Sequence, residues 1–202
     1  MPTTSVETVP KQSVKQPRFI TIESYLKRED IALYKNEYHN GIIIRMPGAK
    51  AKHNQIAAQF TAALINAVDN LLETYLVYNS DMKIYIPVHN HIVYPDAVVV
   101  CEAPKYWNGR EDIILNPVLI VEVLSDSTKN YDKGGKFMKY KNIPSFKEYI
   151  LVSQEDFYVE SWYRESPGRW LETCIEGKDN LIHLASLGVD IDLNKVYKNI
   201  TI

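Results

Sequence analysis

The spacing of apolar positions changes along the chain, and each change marks an element. From about Lys52 to Leu72 the residues Ile56, Phe60, Ala63, Leu64, Ala67, Val68 and Leu71 recur at three and four, which predicts one long amphipathic helix packed across a sheet. Ahead of it, Thr21 can cap a short helix through about Asp30 with Ile22, Tyr25 and Leu26 on one face. Asn40-Gly41 then joins two strand-like stretches between Tyr34 and Ile44, which is the turn chemistry of a tight β-hairpin. Alternating patterns predict strands at 75–79, 82–86 and 92–100, the last two joined by the polar turn Val88-His89-Asn90-His91, with a loop over 102–116. The run 117–124 is almost wholly apolar and reads as a strand buried on both faces. Behind it come the polar turn Ser125-Asp126-Ser127-Thr128 and a helix over about Asn130–Lys141. Tyr149–Val152, Phe157–Tyr163 and Trp170–Ile175 are further strands, with Ser166-Pro167-Gly168 as a turn and a short helix near Leu193–Tyr197. The pattern predicts an α/β architecture with a mixed, largely antiparallel sheet.

Composition narrows this picture. A chain of 202 residues, 46% hydrophobic and 24% charged, suits one domain with a full core. Residues 1–17 are polar, carry Pro2, Pro10 and Pro17 and show no periodicity, so the expected organisation is a flexible N-terminal tail followed by a single domain over 18–202. No apolar stretch reaches the roughly 20 residues of a membrane span and no secretory signal pattern opens the chain, so the expectation is a cytoplasmic protein with no membrane partner. The net charge of -2 means that any grip on nucleic acid must come from a local basic surface. Cys101 and Cys174 lack disulfide or zinc spacing and are expected to be buried free thiols.

The chemistry concentrates in two acids. Glu122 stands inside Val118-Leu119-Ile120-Val121-Glu122-Val123, and Pro95-Asp96 opens the run Ala97-Val98-Val99-Val100. An ionised carboxylate in such a strand is strongly disfavoured unless it is paired or binds a metal. Two of them on neighbouring strands would make a site for Mg²⁺ or Mn²⁺, with the carbonyl of Val123 as a third hard oxygen. Taken singly, Asp96 is equally met by a hydrogen bond to a loop and Glu122 by an ion pair with a lysine or arginine. The polar residues from Ser125 onward, directly beyond the strand, favour a shared site.

These residues resemble the PD-(D/E)XK nuclease superfamily, and within it the group known as putative restriction endonucleases of uncharacterised function. The resemblance runs over about residues 20–197. It is carried by Asn36-Glu37-Tyr38-His39-Asn40-Gly41-Ile42, Ala51-Lys52-His53-Asn54, Tyr94-Pro95-Asp96, Ile120-Val121-Glu122-Val123-Leu124-Ser125, and Asp132-Lys133-Gly134-Gly135-Lys136 followed by Tyr140. It implies a restriction-endonuclease-like core, in which a mixed central β-sheet has flanking helices and additional antiparallel strands. It also implies a Mg²⁺- or Mn²⁺-dependent hydrolase that cuts DNA phosphodiesters and works as a homodimer.

Carried residue by residue, the resemblance makes Asp96 and Glu122 metal ligands and catalytic acids, and Glu37 an accessory acid that ligates directly or through water. His53, Ser125, Lys133 and Tyr140 become candidate substrate contacts. Two positions after Glu122, where the superfamily motif has lysine, this chain has Leu124. The resemblance moves that role to Lys136 on the following helix, where Asp132, Lys136 and Tyr140 are spaced by four and share a face. Read without it, Lys136 is a solvated lysine paired with Asp132, Glu37 an exposed hairpin acid and His53 a surface helix histidine. Lys129, Lys133, Lys136, Lys139 and Lys141 are either a phosphate-binding strip or an ordinary soluble helix face. The missing lysine after Glu122 and the acidic balance keep a second function open, a catalytically inert nuclease-fold module binding nucleic acid or protein. A third is a structural domain whose acids are ion-paired.

Overall fold

A computed structural model describes residues 19–125 and 129–202. The expected tail over 1–17, and Asp126, Ser127 and Thr128 of the expected polar turn, lie outside the described residues. Thr21 caps α1 (Ile22–Glu29) by accepting from the Ser24 amide, as its position predicts. Strands β1 (Asn36–His39) and β2 (Ile42–Arg45) form the expected hairpin, with Asn40 at φ 46° and Gly41 at φ 94°, the left-handed conformations a two-residue turn requires. Helix α2 (Ala51–Val68) ends four residues before the expected boundary. It buries Ile56, Phe60, Leu64 and Val68.

Among the described residues the expected single sheet is instead two mixed six-stranded sheets and a small hairpin. The strands after α2 are β3 (Tyr75–Asn79), β4 (Lys83–Ile86), β5 (His91–Val93), β6 (Ala97–Cys101), β7 (Tyr106–Trp107), β8 (Arg110–Ile114) and β9 (Leu119–Leu124). A π-helical turn over Tyr131–Lys136 runs into α3 (Phe137–Tyr140). Next come β10 (Glu148–Ser153), β11 (Tyr158–Ser166), β12 (Arg169–Glu176), β13 (Leu181–Leu184), β14 (Val189–Asp192) and α4 (Leu193–Val196). One sheet has the order β2-β1-β5-β4-β8-β7, the other β12-β11-β10-β9-β6-β3, and β13 pairs with β14.

Strand β9 sits mid-sheet, parallel to β10 and antiparallel to β6, which accounts for its continuous apolar run. On one side Val121 and Val123 join Ala97 and Val99 against Ile56, Phe60 and Leu64 of α2. On the other, Ile120 and Leu124 join Val98 and Val100 against Phe137, Tyr140, Phe146 and Tyr149. A third cluster, Tyr25, Leu26, Tyr38, Ile92 and Ile113, ties α1 to the first sheet.

Several expectations are corrected here. The stretch 92–100 is not one strand but β5 and β6, which belong to different sheets. Pro95 has no N–H to give a ladder, and the chain crosses between the sheets at Tyr94-Pro95-Asp96, rejoining through the Asp96 amide bonded to the Val121 carbonyl at 3.1 Å. The loop 102–116 contains the β7–β8 hairpin, whose Asn108-Gly109 turn (φ 47° and 74°) repeats the chemistry of Asn40-Gly41. The helix expected from Asn130 is α-helical at Lys129 and Asn130 but passes into π register over Tyr131–Lys136. Cys174 is exposed on the edge strand β12 and Cys101 only partly covered, so neither is the buried thiol expected. Among the described residues no helix is long and apolar enough to cross a membrane.

Phe60 is fully buried where α2 meets β9. Phe60→Ala is expected to cost about 3–5 kcal/mol, seen as a lower urea midpoint at unchanged slope.

Candidate active site

The crossing segment Tyr94-Pro95-Asp96 organises the site because it is the seam between the two sheets. The Tyr94 amide donates to Glu37 Oε1 at 3.3 Å, and the Tyr94 carbonyl accepts from Lys136 Nζ at 3.3 Å. The Tyr94 hydroxyl donates to Glu29 Oε1 at 2.8 Å, and the same oxygen accepts the Asn36 amide at 2.9 Å, so α1 fixes the start of the strand that carries Glu37. One residue past the proline, Asp96 Oδ2 accepts the Val123 amide at 2.7 Å and lies 3.3 Å from His53 Nε2. Pairing of β6 with β9 ends at Ala97 and Val121, so Val123 lies beyond the ladder and its backbone is left to the site. Its carbonyl stands beside the His53 ring.

Glu122 shares its face of β9 with Ile120 and Leu124 and is met there by the helical segment. Lys136 Nζ lies 2.7 Å from Glu122 Oε1, 3.5 Å from Glu37 Oε1 and 3.8 Å from Asp132 Oδ1, and Lys136 as a whole is only 4% exposed. The Tyr140 hydroxyl donates to the same Glu122 oxygen at 3.1 Å, and the Tyr149 hydroxyl bonds the Asp132 carbonyl at 3.2 Å. The π turn is the local device that turns both Asp132 and Lys136 inward, since both are buried within it.

Charge explains the titration of these groups. Burial opposes the charged form of Lys136, but Glu122, Glu37 and Asp132 outweigh it and hold the ammonium well above its ordinary range. Burial likewise pushes Glu37 up, yet Lys136, the His39 ring and the Tyr94 amide bring it below the usual carboxylate value. Glu122 goes the other way. Desolvation, with Asp132 and Asp96 nearby, raises it well above 4.5 despite Lys136. One ammonium cannot neutralise three acids, and the deepest carboxyl carries the excess. His53 is disfavoured as a cation by burial, but Asp96 outweighs this and raises it above 6.5.

Glu37, Asp96, Glu122 and Lys136 therefore converge, from β1, the crossing segment, β9 and the π turn. Glu37 is buried rather than an exposed hairpin acid, and Lys136 is buried rather than a solvated helix lysine. His53 and the Val123 backbone meet at Asp96. Tyr140 is fully buried with its hydroxyl on Glu122, where it supports that acid. Lys133 pairs with buried Glu160, and Lys141 lies 4.0 Å over the Phe137 ring. With Lys136 also buried, the basic residues do not form one exposed strip. Ser125 closes β9, its carbonyl accepting the Lys129 amide at 2.8 Å.

Sequence reasoning underused Asp132 and missed His39. The latter lies 2.8 Å from Glu37 Oε2 and stacks on His91 at 4.5 Å. Its signal was the two-residue period of a strand, which puts positions 37 and 39 on one face.

Among the described residues no three His, Cys, Asp or Glu side chains are grouped closely enough to hold a metal by themselves. The donor chemistry nonetheless fits a magnesium-type ion. Such ions commonly take only one or two protein carboxylates and fill the remaining positions with water and substrate phosphate. Three acids against one lysine, with Asp96 beside Glu122, also leave negative charge that a cation would offset.

The raised Glu122 yields a pH prediction. Its folded value lies above its ordinary one, so its contribution to stability is fully present below about 4.5 and lost as pH rises through the raised value. Glu122→Gln has no proton to lose there. In metal-free urea melts the wild type is expected to lose stability relative to this variant as pH rises above the ordinary carboxylate range, whereas parallel pH profiles would contradict the charge account.

The chain is similar to known proteins over most of its length. The family model described as Uma2, putative restriction endonuclease, matches residues 22–194. The uncharacterized protein sll1609 of Synechocystis sp. (strain ATCC 27184 / PCC 6803 / Kazusa) is 32% identical over 176 residues, covering 87% of this chain and 98% of that protein. The uncharacterized protein slr1290 of the same strain is 32% identical over 178 residues, covering 88% and 91%. The crystal structure of a putative nuclease belonging to DUF820 from Anabaena variabilis superposes with a TM-score of 0.69 at 17% identity, covering 90% of this chain and 99% of that one, and so shares the fold. With the model spanning most of its length, the chain belongs to the Uma2 family of putative restriction endonucleases.

Proposed function

We propose that the protein is a Mg²⁺- or Mn²⁺-dependent DNA endonuclease, a single domain over 18–202 built on a restriction-endonuclease-like core, with the β6–β9–β10 region as its scaffold. The observation that carries the reading is the 2.7 Å contact between Lys136 Nζ and Glu122 Oε1 beside the Asp96 carboxylate. It supplies the acid–acid–lysine set of a nuclease although the position two after Glu122 is Leu124, which is buried in the core. The lysine arrives from the next helical segment instead.

In this reading Asp96, Glu122 and the Val123 carbonyl would hold the ion, with Glu37 as an accessory acid. Bound there, a divalent cation supplies a Lewis acid for the phosphoryl oxygen and lowers the pKa of a water. Lys136 neutralises charge that develops on the pentavalent phosphate. The carboxylates around it keep it protonated and hold it in one place without cost at the moment of reaction. His53, whose cationic form Asp96 favours, offers a further donor at the edge of the site. Lys133, within the π turn, and Ser125, directly after β9, would border the substrate path.

Plasmid or oligonucleotide cleavage with Mn²⁺ or Mg²⁺ tests this. Asp96→Ala and Lys136→Gln, each checked for cooperative unfolding, are expected to lower the rate by about 10²–10³-fold, and equal cleavage by all three proteins would remove the assignment.

The near-complete burial of Lys136 also favours a second reading, a closed and catalytically inert module that binds nucleic acid or protein. Calorimetric titration of Mn²⁺ separates the two. The nuclease reading expects binding to wild type that is lost in Glu122→Ala together with cleavage. The inert reading expects no cleavage whatever the metal does.

A further inference from the structure

We propose that the open edge of β2 is the surface through which two copies of this chain pair, antiparallel and centred on Ile43. Among the described residues strand β2 ends its sheet and has β1 on one side only. In the hairpin, Ile42 faces His39 across the two-residue turn and Ile44 faces Glu37, so their backbone groups turn toward β1 and those of Ile43 turn outward. An edge of this kind is a template for another strand unless charge, a proline or a covering element blocks it. The sequence Ile42-Ile43-Ile44-Arg45 has no proline and one charge, and that guanidinium lies 3.8 Å over the Tyr34 ring. Ile42 and Ile44 are 41% and 43% exposed on a strand of otherwise ordinary length.

The occupant is a second copy because the edge complements itself. A two-fold axis at Ile43 gives one reciprocal pair of backbone hydrogen bonds and sets Ile42 opposite the partner's Ile44, apolar against apolar. Arg45 then meets the partner's Gly41, so no two like charges face each other. The flanks match as well. Phe19, 75% exposed, lies over Gly41 at one end of β2, and the exposed Tyr34 and Leu33 lie toward Arg45 at the other. Antiparallel pairing brings the two ends together. The ladder is short because the Gly41 carbonyl already accepts the Ile20 amide at 3.0 Å, so these apolar flanks supply most of the buried area.

The pairing also bears on the site. Cross-strand partners share a face, so Ile42 and Ile44 lie on the side of the sheet that carries His39 and Glu37. An axis perpendicular to the sheet keeps both sites on that side, and the partner's Ile42 borders the Ile44 that neighbours Glu37. Three strand spacings and a two-residue offset separate the two Glu37 positions by roughly 16 Å. That is the scale of a B-DNA groove, about 12 Å wide for the major groove, so two sites could address opposite strands of one duplex. This last step rests on the nuclease reading, whereas the interface itself does not.

The test reads the interface alone. In a chain with Cys101→Ser and Cys174→Ser, protein carrying Ile42→Cys is mixed with protein carrying Ile44→Cys and oxidised. The register places these positions as a non-hydrogen-bonded pair with Cα atoms about 4.5 Å apart, within disulfide reach. A disulfide-linked heterodimer, well above either variant oxidised alone, is the expected result. In sedimentation the wild type should be dimeric, and the double variant Ile42→Lys/Ile44→Lys, which sets like charges opposite each other, should dissociate with about 100-fold weaker affinity or more. No heterodimer above the single-variant controls would overturn the proposal, as would a dimer unaffected by the lysines. A wild type that stays monomeric but dimerises once residues 1–18 are deleted would also overturn it, because the edge would then be covered by the chain's own N-terminal segment. Absence of cleavage, by contrast, would remove the nuclease reading and leave this one standing.

Discussion

One ammonium group joins the parts of this molecule that matter. Lys136 reaches Glu122 on the central sheet, Glu37 on the other sheet, Asp132 on its own helical segment and the Tyr94 carbonyl on the crossing between the sheets. A charge buried this deeply is tolerated only when its surroundings are arranged around it, and removing one partner of such a set typically leaves a costly uncompensated charge. The lysine is thus a structural centre, and in the proposed reading a chemical one as well. It holds the carboxylates in place, and their excess over it leaves room for a second positive charge.

The two-sheet architecture follows from the same seam. Pro95 stops one ladder and starts another, and its neighbours take different tasks. Tyr94 turns both of its backbone groups onto Glu37 and Lys136, while Asp96 takes the Val123 amide beyond the last β6–β9 pair. The acids that sequence places far apart meet because the proline brings the end of β5 and the start of β6 to one corner. The same corner receives α2 through His53, so the long helix both covers the core and reaches the site.

Much of this was legible in the sequence because local rules governed it. The Asn40-Gly41 hairpin, the period of α2, the apolar run of β9 and the unexplained carboxyl of Glu122 all state their structural role within a few residues. The split of 92–100 was less visible, since Tyr94-Pro95-Asp96 sits inside a run whose apolar character continues on both sides, and only the sheet partners decide that the chain changes layer. The β7–β8 hairpin was missed although Asn108-Gly109 carries the same signal as Asn40-Gly41, because β7 is only two residues long and β8 opens on charged residues. The basic residues after β9 misled. Their count indicates a solvated face, but the π turn rotates Lys136 into the core, and aromatic or acidic neighbours draw Lys141 and Lys133 away from a common surface. No short-range pattern announces a change from α to π register.

The central claim is that the acids around Lys136 form a divalent-cation site. Anomalous diffraction from crystals grown with Mn²⁺ and with a Glu122→Ala control tests it most directly. A peak bounded by Asp96, Glu122 and the Val123 carbonyl, absent in the control, is the predicted result. Saturating Mn²⁺ with no peak there, or with an equal peak in the control, would contradict it.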